Sequence, residues 1–359
     1  MFDRLWPRLG FLFSLAATAW MGASPALAQS RLFSAEAPLQ IILDAPFRNL
    51  VRTAKTDPKP FPATLTVTDG AEAPQTIPIQ VKPRGLTRRT AGYCDFPPIQ
   101  LIFGEKATLK GTIFKGQRKL KLVTYCRDLN DYEQRVMLEY LAYKLYNVIT
   151  PVSYRVRSAE VTYRKDDKDT GVTRFGYLIE DLAELADRNH SKALKLASHE
   201  LRPAQFDAHA AGRAALFEYM IGNLDWDFIA GPVGADCCHN SRFIAAKDTP
   251  PLTGVAPIAY DFDYSGLIEA PYAGAPIGLP VESVTDRFYR GYCVSSPEMP
   301  AVVAEFRAHR SELMALINGQ PGLTPKFRSR AARFMDDFFV ILDDPAKVQT
   351  QIVKHCRQG

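Results

Sequence analysis

The hydrophobic pattern of this chain changes period once, and that change limits the folds open to it. Through the first third, short apolar runs alternate with a period of two. Residues 63–68 (ATLTVT) are β-branched and alternating, and 77–81, 98–103 and 119–123 read the same way. Together they predict an antiparallel sheet over roughly residues 35–125. Pro78 cannot donate a ladder hydrogen bond, so it argues for an edge position. From 131 to 147 the apolar positions Val136, Met137, Tyr140, Leu141 and Leu145 adopt helical spacing, with Asp131 as the expected N-cap. Two further strands, 153–162 and 174–179, flank a polar hairpin loop at 164–171. Beyond Glu180 the pattern is mainly helical: 206–221, 301–317 and 324–342, the last with Pro325 at its first helical position. Short apolar strands at 243–245 and 257–260 interrupt it. A strand-rich half followed by a helix-rich half predicts an α+β chain of two lobes, 29–180 and 181–359.

Residues 1–28 are expected to be removed. Arg4 and Arg8 precede an apolar stretch at 10–23, and Pro25-Ala26-Leu27-Ala28 is a small-x-small cleavage site. The stretch is short of the ~20 apolar residues that a membrane span needs, although an uncleaved anchor is the alternative. No later segment approaches that length. A signal peptide sends the chain to the periplasm or the medium. Its removal takes away Asp3, Arg4 and Arg8, one net positive charge out of the +5 of the whole chain. That balance, with no arginine-rich arm, argues against a nucleic-acid partner.

Six cysteines, Cys94, Cys126, Cys237, Cys238, Cys293 and Cys356, all follow the cleavage site. An even number in an exported chain favours disulfides over a metal site, and no C-x-x-C pair is present. Cys94 and Cys126 share the first half and are expected to pair, leaving the other four to pair within the second half.

A constellation of acids and amides occupies the second half. Asn223-Leu224-Asp225-Trp226-Asp227 ends a helix, His239-Asn240 leads into a strand, and Tyr260-Asp261-Phe262-Asp263 follows another. Phosphoryl transfer uses such a set: one carboxylate orients the attacking hydroxyl, while an amide and a second carboxylate hold magnesium by hard oxygens. Individually each residue has a plainer role. Asp225 and Asp227 can cap a turn, Asn240 can occupy one, and of Asp261 and Asp263 one can point away from the cleft. The first half supplies cations, in Lys82-Pro83-Arg84-Gly85 and Arg118-Lys119-Leu120-Lys121. A strand lysine needs a partner if buried, either a phosphate or an acid such as Glu133 or Glu139. Equally, Lys119 and Lys121 share a face that solvent can cover.

The order of these pieces resembles the CotH-like kinase family, named for spore coat protein H. The resemblance covers about residues 75–270. It begins at the Arg84-Gly85 turn and the strand Lys119-Leu120-Lys121-Leu122, and continues through the helix Leu138-Glu139-Tyr140-Leu141-Ala142 to Phe175-Gly176-Tyr177-Leu178-Ile179-Glu180. It ends with Asn223-Leu224-Asp225, His239-Asn240 and Tyr260-Asp261-Phe262-Asp263, where Tyr260 stands for the more usual Trp. Ordinary protein-kinase signatures are absent: there is no G-x-G-x-x-G, no H-R-D, and Asp261-Phe262-Asp263 lacks the glycine of D-F-G. The resemblance implies a two-lobed, protein-kinase-like fold. It implies ATP or another nucleotide with Mg or Mn, and a protein or small-molecule phosphoacceptor. Asp225 would be the catalytic acid/base, Asn240 and Asp261 would hold metal, and Arg84, Lys121 and Glu180 would meet the nucleotide. Because ATP is scarce outside the cytoplasm, the alternatives are a non-catalytic envelope protein that binds a ligand in the same cleft and a metal-dependent hydrolase.

Overall fold

The computed structural model describes Met1 and residues 31–85, 87–90, 92–104, 109–165, 168–231 and 237–358. The expected signal peptide and residues 166–167 of the expected hairpin loop lie outside the described residues.

Seven strands of alternating pattern dominate the first half: β1 (Leu39–Asp44), β2 (Phe61–Asp69), β3 (Gln75–Pro83), β4 (Ile99–Phe103), β5 (Lys119–Val123), β6 (Val156–Lys165) and β7 (Lys168–Ile179). They close into a barrel in the order β1-β2-β3-β4-β5-β7-β6. Neighbours are antiparallel except at the closure, where β1 runs parallel to β6 from Leu39↔Ala159 to Asp44↔Arg164. Alternate residues turn inward, so Ile41, Leu65, Ile79, Leu101, Leu120 and Val161 fill the interior. Outward positions stay polar, as with Gln80, Gln100 and Lys121.

This overturns the expectation of a two-lobed, protein-kinase-like fold. The chain is α+β, but its sheet is a closed mixed barrel. The closing strand β1 falls in a segment whose mixed composition gave no strand signal. Its partner is more than a hundred residues away, so no turn chemistry announces the pairing. Closure also explains Pro78, which is not on an edge. It faces Thr64 on β2 and lies one residue outside the β3–β4 ladder, which starts at Ile79↔Phe103.

The helices are α1 (Phe47–Thr53), α2 (Asn130–Ile149), α3 (Leu182–Arg188), α4 (Ala208–Ile221), α5 (Met299–Ala308), α6 (Arg310–Gly319) and α7 (Pro325–Leu342). A small sheet of β8 (Lys192–Ala193), β9 (Ser241–Ala245) and β10 (Ala256–Ala259) lies among them. The N-cap of α2 is Leu129 rather than Asp131. The helix expected over 301–317 breaks at His309, which ends α5 and precedes α6. A second apolar core joins α2 to the helical half. Tyr146 stacks on Phe217 of α4 with ring centroids 4.2 Å apart, and Tyr143 meets Phe262 at 4.6 Å. Such aromatic pairs add ~0.5–1.5 kcal/mol beyond their buried area. Thus α2 lies between the barrel and the helices.

Cys94 pairs with Cys126, as expected, and the other four pair within the second half, Cys293 with Cys356 and the adjacent Cys237 with Cys238. Among the described residues, no helix is long and apolar enough to cross a membrane.

Candidate functional site

The site is assembled from strand ends and one helix terminus. Helix α4 stops at Gly222, whose left-handed backbone (φ 64°) turns the chain sharply. A Cβ there would meet the Phe334 ring at 2.9 Å, so glycine is required sterically as well. Asn223 follows, and its side-chain oxygen accepts from the backbone N–H of Asp225 at 3.1 Å. Trp226, fully buried, donates its indole N–H to the carbonyl of Asn223 at 3.0 Å. These bonds fix the direction in which Asp225 emerges.

The hairpin of β9 and β10 delivers the next residues together. Ser241 is opposite Ala259, so Asn240 and Tyr260 flank the same end of the ladder, and the Tyr260 N–H donates to the Asn240 carbonyl at 3.1 Å. Asn240 donates its amide to the Asp225 carbonyl at 2.7 Å and to Oδ2 of Asp225 at 3.0 Å. His239 donates from Nε2 to Oδ1 of the same carboxylate at 2.6 Å. That hydrogen bond raises the imidazole above its usual range against the opposing effect of burial. Asn240 and Asp261 both hold left-handed backbone, at φ 45° and 66°. Non-glycine residues adopt it at a cost of about 1 kcal/mol or more each, a strain that gathers at functional sites.

The barrel contributes two cations, Arg84 and Lys121, and β9 a third, Arg242. Arg84 leaves the end of β3, anchored by its N–H to the Pro98 carbonyl at 2.9 Å, and Nη2 donates to the Tyr260 hydroxyl at 2.6 Å. Lys121 projects from the outer face of β5, half-buried, with its ammonium 3.9 Å from the centre of the Tyr260 ring. Arg242 stands 5.2 Å from the same ring. Three cations therefore converge on one aromatic face and edge, which Tyr260 stabilises through its quadrupole and hydroxyl. Burial, reinforced by Arg84 and Arg242, drives the Lys121 ammonium well below the usual lysine range, with Asp261 and Asp181 opposing. Among the described residues, no carboxylate lies within ion-pairing distance of Lys121.

Arg84, Lys121 and Arg242 line one cavity of about 350 Å³ together with Asp225, Asn240 and Asp261. Asp263 and Glu139 form its acidic floor. Both are buried, and burial pushes Glu139 to about 7 and Asp263 well above the usual carboxylate range. Asp263 accepts from the Tyr272 hydroxyl at 2.9 Å, while Glu139 lies 3.7 Å from the buried Arg88.

Two residues singled out from the sequence are outside this cavity. Glu180 is buried in an ion pair with Arg188, both contacts at 2.9 Å, and accepts from the Arg155 N–H. Asp227 accepts from the N–H groups of Ile229 and Ala230 and pairs with Arg357 at 2.7 Å, which holds its carboxyl below the usual range despite burial. Both anchor the loops around them. The sequence reading assigned no role in the cleft to Arg88 or Arg242, and named Glu139 only as a partner for a strand lysine. A carboxylate inside the apolar run Leu138-Glu139-Tyr140-Leu141 was the available signal, because a buried charge implies a partner.

The oxygens suit a hard divalent cation. Asn240 spends its N–H groups on Asp225, which leaves Oδ1 as a free acceptor, and the Asp261 carboxylate has no hydrogen-bond donor among the described residues. Among those residues, no three His, Cys, Asp or Glu side chains cluster as a metal site by themselves. Magnesium is commonly held this way, by one or two protein oxygens with the rest supplied by phosphate and water.

The fold and cavity together define an α+β barrel protein with one cleft lined by both cations and carboxylates. No protein-family model matches the chain, and no curated protein matches its sequence.

Proposed function

We propose that the cleft binds a nucleotide, ATP or a close relative, with Mg or Mn, and transfers its terminal phosphoryl group to a hydroxyl on a protein or small molecule. This is the chemistry implied by the likeness to the CotH-like kinases, here carried by a barrel. One observation supports it above the others: Arg84 and Lys121 of the barrel and the unspent oxygens of Asn240 and Asp261 line a single cavity. Arg84 and Lys121 would meet phosphate oxygens, while Asn240 and Asp261 would hold the cation that neutralises them. Asp225, oriented by His239 and Asn240, would accept the acceptor's proton as its oxygen attacks the terminal phosphorus. The bond from that phosphorus to the bridging oxygen then breaks, and the shortened nucleotide leaves with the electron pair.

The test is thermal stabilisation by ATP with and without Mg, paired with nucleotide turnover. ATP at ~100 times its dissociation constant adds about 2.7 kcal/mol. The expected result is a Mg-dependent shift in the parent, and in Asp225→Asn an undiminished shift with turnover lost. A shift without turnover in the parent would favour a non-catalytic envelope binding protein. No shift with any nucleotide would remove the reading altogether.

A further inference from the structure

A second and larger cavity, about 690 Å³, lies away from the cleft of Asp225 and Lys121, between the outer face of β1 and β6, helix α2 and the α6–α7 turn. Its walls are mainly apolar: Met137 and Tyr140 of α2, Phe175 of β7, Leu316 of α6 and Pro321 beyond it. That volume falls in the range of drug-sized ligand pockets, roughly 300–1,000 Å³. Its charged lining is net acidic, four glutamates against Lys144. Lys144 is already committed to Glu36, at 2.6 and 2.7 Å. Glu133 is committed to Arg174 and to the Phe175 N–H. What remains is Glu160, exposed on β6 with no ion-pair partner among the described residues, and Glu312, exposed on α6 and 3.4 Å from His309. An anionic ligand would meet the unpaired Glu160 and an acidic surplus there, whereas a cation would be drawn in.

We infer that this cavity is a binding site for a small amphipathic amine, an aromatic or aliphatic body carrying one protonated nitrogen. The body occupies the space between Met137, Tyr140, Phe175 and Leu316, and the ammonium faces Glu160 and Glu312. This site shares helix α2 with the cleft of Asp225 and Lys121 but does not depend on the reading of that cleft.

The test uses three indoles of matched shape: tryptamine, its alcohol analogue indole-3-ethanol, and indole-3-propionate. Binding to the full chain is followed by calorimetry at low salt. Tryptamine is expected to saturate one site and to bind about fivefold tighter than the alcohol, on the scale of two exposed ion pairs, with the propionate weakest. Glu160→Gln with Glu312→Gln should bring tryptamine to the alcohol's affinity. Ala315→Trp, at an exposed position on the cavity wall, should abolish binding of all three with the circular dichroism spectrum unchanged. Equal or tighter binding of the propionate overturns the inference, as does undiminished binding to the Ala315→Trp protein. Absence of saturable tryptamine binding also overturns it. So does saturation only by a lysine-bearing apolar peptide, which would assign the groove to a protein partner.

Discussion

Glu139→Gln should change how stability depends on pH. Glu139 sits in the middle of α2 with 3% of its surface exposed, beside Arg88 and in reach of Tyr177. Burial lifts its carboxyl from an ordinary 4.5 to about 7, against the pull of Arg88. At ~1.4 kcal/mol per pH unit, that corresponds to about 3 kcal/mol. The sign follows from the raised value. Between those two pH values the folded chain keeps the proton and the unfolded chain releases it. The stability from this group is therefore complete below 4.5 and lost as pH rises through 7. The nearby Asp263, also raised by burial and by its acidic neighbours, acts in the same direction and is relieved when Glu139 loses its charge. Urea unfolding of parent and variant across this range reads the effect. The variant should gain about 3 kcal/mol relative to the parent between acid and mildly alkaline pH, whatever the fixed cost of losing the Arg88 contact. A gap that stays level across that range would refute the argument that burial holds the proton on Glu139.

Three other outcomes follow from the same structure. A phosphate bound beside Lys121 should draw its lowered pKa back up; titrations in buffers of different ionisation enthalpy should show proton uptake on binding in the range where that group titrates, and affinity should fall as pH rises. Asp261→Gly should separate fold from function: glycine accepts φ 66° without strain, so the thermal midpoint should hold or rise, by up to ~1 kcal/mol, while metal-dependent nucleotide binding disappears. Replacing Cys293 and Cys356 together with alanine opens a link across 63 residues and should cost ~2–4 kcal/mol in denaturant unfolding; an unchanged midpoint would mean that the C-terminal segment is held by packing alone.

Local patterns were legible and long-range closure was not. Leu120, Lys121 and Leu122 announce an alternating strand, and the structure puts both leucines inside the barrel and the lysine outside. Asp225 and Asn240 are separated by fifteen positions, yet short motifs beside a helix end and a strand start pick out both, and the structure bonds them to each other. By contrast, β1 is six residues long and pairs in parallel with β6, a contact that alternation alone cannot specify. The same limit affected single carboxylates. Asp225 and Asp227 look equivalent in Asn223-Leu224-Asp225-Trp226-Asp227, but Arg357, almost at the end of the described chain, claims Asp227. Glu180 likewise ends an apolar strand as a nucleotide contact would, and only the position of Arg188 on α3 shows where its charge goes.

The most direct measurement of the central claim is calorimetric titration of a non-hydrolysable ATP analogue, with and without Mg, into the parent and into Lys121→Met. The account predicts Mg-dependent, one-site binding to the parent, weakened about tenfold or more in the variant, as expected for loss of a charge-assisted phosphate contact. Equal binding by the two proteins, or none by the parent, would contradict it.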